Sequence, residues 1–177
     1  MKVYFSGALC LSLFLLILVF PKAAQAETCF HACFASRALP ANVSDQNMRQ
    51  TMQTCHNRCE NEARAKLVGE GFGPLLKACV PKRISDDELK KIRSASASVM
   101  AFSNVLTWDV KNVLPNKIIR RVELSTQNLS LEDVIVTSAG YVGPGQMGTF
   151  YIGNVSQGYP AVQLTTRIAA IYACATH

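Results

Sequence analysis

The sequence predicts an α+β protein in which a disulfide-stapled antiparallel helical hairpin is followed by a short helix and a small antiparallel β-sandwich-like module. Two Cys-x3-Cys motifs predict the hairpin, and a change to alternating β-branched and aromatic residues after about Val99 predicts the sheets. The length of 177 residues allows one domain or two small ones and excludes a large multidomain enzyme. We divide the chain into segments 1–26, 27–80 and 81–177.

Residues 1–26 have the pattern of a signal peptide. One lysine precedes an apolar run over residues 3–20, and Ala24-Gln25-Ala26 supplies the small residues that a signal peptidase accepts. Pro21 breaks the apolar helix just before that site, which favours cleavage. The predicted location is therefore periplasmic or secreted. The alternative is an uncleaved membrane anchor, because a run of about 18 apolar residues is long enough to span a bilayer.

Six cysteines follow the predicted cleavage site, and an even number in an exported protein predicts a disulfide set. The two Cys-x3-Cys motifs begin 26 residues apart, and each places its two thiols on one helical face. If the two helices run antiparallel, the outer cysteines of the motifs face each other, and so do the inner ones. The predicted pairs are then Cys29–Cys59, Cys33–Cys55 and Cys79–Cys174.

Local signals place the two helices of the hairpin. The first runs from about residue 27 to residue 38, and Pro40 with Asn42 marks the turn that follows it. Ser44 is the predicted N-cap of the second helix, which Gly69 ends. Apolar residues recur along this second helix every three or four positions and form one stripe, at Met48, Met52, Cys55, Cys59 and Ala63.

This twin Cys-x3-Cys hairpin resembles the small translocase chaperones of the mitochondrial intermembrane space, in which two such motifs on antiparallel helices are doubly crosslinked. The resemblance covers about residues 28–60. The spacer from Phe34 to Thr54 is longer than that family's, and those chaperones have neither a cleaved signal peptide nor a similar C-terminal extension. We interpret the resemblance as shared geometry and not as kinship.

The second half of the chain begins with a helix signal and continues as strands. Ser85 and Glu88 form a capping-box pattern, and Leu89 with Ile92 starts an apolar helix face. The turns are predicted at Asn128-Leu129-Ser130 and Gly143-Pro144-Gly145. Five or six strands are expected in all, including Val105–Val110, Ile118–Thr126, Val134–Thr137, Thr149–Ile152 and Val162–Tyr172.

The order of strands and turns between Val122 and Ile152 is similar to that of immunoglobulin-like modules in bacterial envelope proteins. Such modules share a pattern and host unrelated functions. The resemblance implies a structural or binding β-module.

Catalytic signals are absent from the sequence. No serine lies in a Gly-x-Ser-x-Gly elbow, and the chain has no P-loop, dinucleotide glycine motif, EF-hand or Cys-x-x-Cys pair. The three histidines are His31, His56 and His177, and we expect all three to face solvent. The sequence therefore predicts a protein that is not an enzyme, with no catalytic residue and no cofactor.

A soft-metal site is the alternative interpretation of the hairpin. Reduced thiols beside imidazole groups would suit Cu(I) or Zn(II). An oxidising compartment instead favours disulfides, and Met48 and Met52 already have a packing role on the apolar stripe. Crosslinking is thus the favoured interpretation. The alternative ligands for a metal are Cys29, Cys33, Cys55, Cys59, His31 and His56.

The function predicted from these features is a non-catalytic one: an exported protein that binds an envelope protein partner, as an accessory subunit of an envelope complex or secretion apparatus. A soft-metal or thiol carrier is the alternative. Segment 27–177 keeps 16 basic and 12 acidic residues, a mild excess that excludes a nucleic-acid partner. If the basic clusters converge, they form a surface for an anionic partner through Lys90, Lys91, Arg93, Arg120 and Arg121.

Overall fold

The computed structural model describes residues 27–37, 40, 42–102, 104–127, 132–153, 155 and 165–176. The helices in this part of the chain are α1 (Cys29–Ala35), α2 (Asp45–Leu67), α3 (Gly73–Ala78) and α4 (Asp86–Ala95). The strands are β1 (Lys82–Arg83), β2 (Met100–Phe102), β3 (Val105–Lys111), β4 (Lys117–Gln127), β5 (Asp133–Val142), β6 (Met147–Ile152) and β7 (Thr166–Ala175).

The strands form two antiparallel sheets. Sheet A has the order β1-β7-β4-β5, and sheet B has the order β2-β3-β6. Side chains from both sheets share one core, in which Trp108 and Phe150 of sheet B meet Ile119, Val122 and Ile171 of sheet A. The sandwich-like module predicted from the sequence is therefore present, and the chain is an α+β protein.

Most strand positions agree with the sequence pattern, but their lengths do not. β5 continues to Val142, although the pattern predicts an end at Thr137, because pairing with β4 continues at Ser138 and Ala139 and resumes at Val142 after a register shift. The two shortest strands, β1 and β2, were not predicted, since two or three residues show no alternation. The turn at residues 128–130 and the start of the strand predicted at residue 162 lie outside the described residues.

The hairpin begins with a helix that is shorter than predicted. Thr28 caps α1, because its hydroxyl accepts a hydrogen bond from the His31 amide, and α1 ends at Ala35. Ser44 caps α2 as expected, through the Asn47 amide. The apolar stripe of α2 meets α1 and the outer face of sheet B in a cluster formed by Phe30, Cys33, Met52, Cys55, Val105 and Tyr151.

Helix α2 ends two residues before the predicted end at Gly69, and a further helix follows it closely. Helix α2 ends at Leu67, and the chain then makes one wide turn over Val68–Phe72 before α3 begins. Pro74 lies in the first turn of α3, where its missing N–H costs no helical hydrogen bond. Gly71 has φ of 92°, a conformation that favours glycine, and this residue interrupts the helical path.

Helix α4 follows its predicted capping box. Ser85 accepts a hydrogen bond from the Glu88 amide, and the Glu88 carboxylate accepts one from the Ser85 amide. Ile92 is fully buried in the core of the sandwich. Lys117 of β4 donates to Glu88 at 2.6 Å and so joins α4 to sheet A. This hydrogen bond is the main reason that the pKa of Glu88 lies below its ordinary value.

No helix in the described residues is both long enough and apolar enough to cross a membrane. The segment 1–26, predicted to be a signal peptide, lies outside the described residues.

Candidate functional site

The six cysteines of the described chain form three disulfides. Their pairs are Cys29–Cys59, Cys33–Cys55 and Cys79–Cys174, the pairs that the sequence predicts. The two hairpin disulfides form a ladder between α1 and α2, with Cα–Cα distances of 5.8 and 5.6 Å. Both cysteines of the inner disulfide, Cys33–Cys55, are buried, whereas Cys29 of the outer disulfide is exposed. Three disulfides fit an oxidising environment outside the cytoplasm.

A soft-metal site does not form in this oxidised state. The four hairpin thiols are bonded to one another in pairs, and among the described residues no group of three or more Cys, His, Asp or Glu side chains is arranged to hold a metal ion. The alternative ligand His31 instead contacts a carboxylate. A carrier function for the hairpin remains a prediction that needs the reduced protein.

The structure places His31 at an interface, so its predicted exposure to solvent is wrong. Its Nε2 atom lies 2.8 Å from the carboxylate of Asp109 on β3. The hydroxyl of Thr149 on β6 donates to the same carboxylate at 2.6 Å and lies 2.8 Å from the hydroxyl of Thr28. Because the threonine hydroxyl donates to Asp109 and not to His31, this network fixes α1 on sheet B and does not activate a nucleophile.

His56 is also partly buried, again contrary to its predicted exposure. Its ring stacks on Tyr151 of β6, with 5.4 Å between ring centroids. Burial lowers the pKa of His56, although a hydrogen bond to the Thr149 carbonyl opposes this effect. The third histidine, His177, lies outside the described residues.

Helix α2 lies over a seam between the two sheets. β5 is the last strand of sheet A and β6 is the last strand of sheet B, and no ladder joins them. The Ser138 hydroxyl of β5 donates to the Tyr151 carbonyl of β6 at 2.9 Å, which shows how close the two edges come. Contacts between α2 and both strands cover this opening.

Two side chains of α2 bind the backbone on either side of the seam. His56 donates to the Thr149 carbonyl of β6, and the Glu60 carboxylate accepts from the Tyr141 amide of β5. Burial raises the pKa of Glu60 to about 7, while the Tyr141 hydrogen bond and the Arg120 charge oppose this shift. Glu60 was not predicted from the sequence, where its spacing of one helical turn from His56 was the available signal.

A cleft of about 400 Å³ opens beside this bridge. On the sheet side, the Arg120 guanidinium lies 4.1 Å from the centre of the Tyr141 ring and donates to the Gly140 and Leu76 carbonyls. On the helix side, two asparagine amides accompany the two titratable groups. The lining residues are His56, Asn57, Glu60, Asn61, Arg120, Ala139, Gly140 and Tyr141.

The cleft contains groups that can exchange protons. Glu60, with a pKa of about 7, and His56 are the residue types that act as general acids and bases. Among the described residues, no serine, threonine or cysteine lines the cleft. Both groups already bind the backbone of the sandwich. Both side chains therefore contribute to the contact between α2 and the two sheets.

The basic residues predicted to face an anionic partner lie on two elements. Lys90, Lys91 and Arg93 are exposed on α4. Arg120 and Arg121 lie on β4, where each guanidinium covers a tyrosine ring, with the Arg121 guanidinium 3.7 Å from the centre of the Tyr172 ring. An anionic partner therefore stays a prediction. The exposed lysines that would contact such a partner, Lys90 and Lys91, lie on α4.

Strand β2 is an edge strand with an apolar, uncharged surface. Met100 and Phe102 are 48% and 50% exposed. They pair with Thr107 and Val105 of β3, so they point to the side of sheet B on which the hairpin packs. From Ser94 to Trp108 the sequence has no charged residue. The hairpin covers Val105 and leaves Phe102 half exposed.

The outer edges of sheet A differ from β2. The short edge strand β1 consists of Lys82 and Arg83 and follows Pro81, and such residues discourage pairing with another chain. At the other edge, Glu60 covers the Tyr141 amide of β5. In the part of the chain that the structure describes, β2 has neither kind of protection.

Comparisons with protein-family models, with curated proteins and with solved structures found no match to this chain.

Proposed function

We propose that this protein is an exported, non-catalytic binding protein, an accessory subunit that recognises an envelope protein partner through β2. The unprotected edge of β2 carries the proposal. An extended segment of the partner adds to sheet B as a further strand, and its side chains cover Met100 and Phe102. Added strands supply backbone hydrogen bonds, and alternate side chains supply specificity.

The composition around β2 supports this function. Natural sheets protect their edges with charges, proline or covering elements, and an exposed apolar edge strand without them tends to pair with other chains. The stretch from Ser94 to Trp108 has no charge, and both large side chains of β2 are half exposed. An uncovered surface of this kind in a monomer is typical of an interaction site.

Export is supported by two independent features. Residues 1–26 have the pattern of a cleaved signal peptide. The three disulfides fit the oxidising conditions that such a protein meets after export. A partner of an exported protein is itself located in the envelope or outside the cell.

Site-specific photocrosslinking in the source cells tests the proposal. A photoreactive amino acid at position 102 should give one discrete adduct whose mass is that of this protein plus a different protein. The matched control carries the same amino acid at position 135, because Ile135 is a similarly exposed apolar residue on another strand, 56% exposed on β5. We expect no adduct, or a much weaker one, from position 135.

A second variant tests whether the edge itself is responsible. With the photoreactive amino acid at position 100, the substitution Phe102→Lys should abolish the adduct, because a lysine head group cannot be buried under a partner strand. Equal adducts from positions 102 and 135, or an adduct at position 100 that survives Phe102→Lys, would contradict the proposal. An adduct with the mass of two copies of this chain would instead show that β2 binds a second copy of this protein.

A further inference from the structure

We propose that a row of amide side chains on the exposed face of α2, together with the cleft between α2 and β5, binds an uncharged glycan chain. The proposed protein partner binds β2, which is a different surface. The inference therefore goes beyond the proposed function and does not depend on it.

The row consists of amide side chains that recur along α2 every three or four residues. All of them are exposed, and this spacing places them on one face of the helix, opposite the apolar stripe that contacts α1. From its first to its last member the helix rises by about 22 Å. The members of this amide row are Gln46, Gln50, Gln53, Asn57 and Asn61.

Helix stability does not account for the amide row. Asparagine is a poor helix former, and exposed helix positions ordinarily carry lysine, glutamate or arginine, which favour the helix and form ion pairs. The ion pair between Arg58 and Glu62 on the same helix shows this ordinary pattern. Positions that depart from local preference without a gain in packing are typical of functional sites. The row therefore indicates a ligand that forms hydrogen bonds with uncharged groups.

Two members of the row are joined by a hydrogen bond. Gln53 donates from Nε2 to the Oδ1 atom of Asn57 at 2.8 Å. This bond uses the carbonyl oxygen of Asn57 and not its two N–H donors, and it uses a donor of Gln53 and not its carbonyl oxygen. The pair therefore presents donors and an acceptor side by side. Sugar hydroxyl groups match such a surface, because each hydroxyl both donates and accepts.

The cleft adds further donors and acceptors to the row. Asn57 and Asn61 belong to both. On the sheet side, two backbone carbonyls and the Tyr141 ring hold the Arg120 guanidinium in place, and the carbonyls use two of its five N–H donors. The Glu60 carboxylate accepts from the Tyr141 amide and has further acceptor positions. Groups that are held in place before a ligand arrives lower the entropy cost of binding.

The composition of the cleft favours a saccharide over an apolar or anionic ligand. Sites for apolar ligands are lined mainly by hydrophobic side chains. Here five of the eight described lining residues carry an amide, an imidazole, a guanidinium or a carboxyl group. An anion would face the carboxyl group of Glu60 as well as the guanidinium of Arg120. The volume of about 400 Å³ is within the usual range for small-molecule sites.

An extended peptide fits this cleft less well than a saccharide does. Peptides that add to the edge of a sheet bind its backbone groups, and at this edge Glu60 already accepts from the Tyr141 amide. Helix α2 also contacts both β5 and β6 beside that edge. A saccharide needs no strand edge, because its hydroxyl groups bind side chains.

The length of the amide row favours a chain of sugars over a single sugar. A single sugar bound in the cleft would contact Asn57 and Asn61 and would leave the other three members of the row without a ligand. In a chain, the sugars that follow the first one bind Gln53 and the glutamines before it. Each added hydrogen bond raises the affinity.

NMR titration of the oxidised, isotope-labelled chain from Glu27 onward tests the site. The probes are cellotetraose, maltotetraose and the tetramer of N-acetylglucosamine, each compared with its own monosaccharide. At least one tetrasaccharide should shift the side-chain NH2 signals of Gln53, Asn57 and Asn61. The same tetrasaccharide should bind about tenfold more tightly than its monosaccharide, because the row adds hydrogen bonds that the monosaccharide cannot form.

Three variants locate the binding. Asn57→Ala should weaken tetrasaccharide binding about tenfold, and alanine favours the helix at this exposed position, so the fold is kept. Asn116→Ala is the matched control, because it makes the same change at an exposed asparagine in the turn before β4, and it should leave the affinity unchanged. Gln53→Ala should weaken binding of the tetrasaccharide but not of the monosaccharide, since Gln53 does not line the cleft.

Several results would overturn the proposal. Equal affinities for the tetrasaccharide and the monosaccharide, unchanged by Gln53→Ala, would assign a free sugar to the cleft and reject the row. Shifts of the same signals by tetraalanine, without binding of any saccharide, would make the ligand a peptide. No shift with any saccharide, or equal losses of affinity in Asn57→Ala and Asn116→Ala, would show that this surface is not a glycan site.

Discussion

The hairpin and the sandwich are held together by different forces. The core of the sandwich contains one large cluster of buried apolar side chains, and every member of it lies at or after Ile84. The hairpin contributes none of these residues and has a small cluster of its own, centred on Cys33 and Cys55. A two-helix unit of this size buries too little apolar surface to be stable alone, so covalent crosslinks replace the missing core.

Because of this difference, substitutions in the two regions should have different effects on stability. Loss of a core side chain should destabilise the whole sandwich, because its strands share one cluster. Loss of the disulfide ladder should release α1 and α2 and leave the strands folded.

Trp108→Ala should cost the sandwich about 3–5 kcal/mol of unfolding free energy. The indole is fully buried, and its Nε1 donates to the Ala97 carbonyl at 2.9 Å. Urea denaturation followed by far-ultraviolet circular dichroism measures the effect. Phe102→Ala is the control, because this half-exposed aromatic residue should change the free energy by less than about 1 kcal/mol. Similar losses in the two variants would contradict the description of the core.

Replacing the four hairpin cysteines by alanine should unfold α1 and much of α2 and preserve the β-strands. The two rings span sequence separations of 30 and 22 residues, and each contributes about 3 kcal/mol in the loop-entropy model. Hydrogen exchange should show loss of protection at Met52 and retained protection at Val122. Loss at both residues would show that the sandwich depends on the hairpin.

Asp109→Asn should weaken the docking of α1 on sheet B by about 1–2 kcal/mol. The carboxylate accepts hydrogen bonds from Thr149 and binds His31, and the amide keeps only part of this capacity. The expected signature is faster exchange of the amides in α1 at a nearly unchanged urea midpoint. A large shift of the global midpoint instead would show that Asp109 supports the sandwich itself.

Ser85→Ala should have the smallest effect, a loss of about 1 kcal/mol. The substitution removes the hydroxyl half of the capping box at α4, and Glu88 keeps its ion pair with Lys117. Thermal unfolding provides the measurement, with Ser98→Ala as a control at an exposed serine outside the helix. An equal change in unfolding temperature in the two variants would show that loss of the cap is not the cause.

Local features were predictable from the sequence, and features created by tertiary packing were not. The caps at Ser44 and Ser85 and the spacing of the cysteines depend on neighbours within a few residues, so the pattern indicates them directly. His31 differs, because its partner Asp109 is 78 residues away. The role of Glu60 depends on a seam between sheets that exists only after β5 and β6 have formed.

The proposed binding edge was missed for a related reason. β2 has three residues, too few for a periodic pattern, and its exposure depends on where the hairpin ends above sheet B. The absence of charge between Ser94 and Trp108 was visible in the sequence, but it is equally typical of a buried strand. Only the position of β2 at the edge of its sheet separates the two interpretations.

The central claim is that the hairpin cysteines are a structural staple in an exported protein and not a thiol or metal centre. Alkylation of protein isolated without reductant from its native compartment, followed by intact mass measurement, tests it most directly. The account predicts a chain that starts at Glu27, takes up no alkylating reagent and has lost two hydrogen atoms for each of the three disulfides. Two or four alkylated thiols, or the added mass of a bound metal, would contradict it.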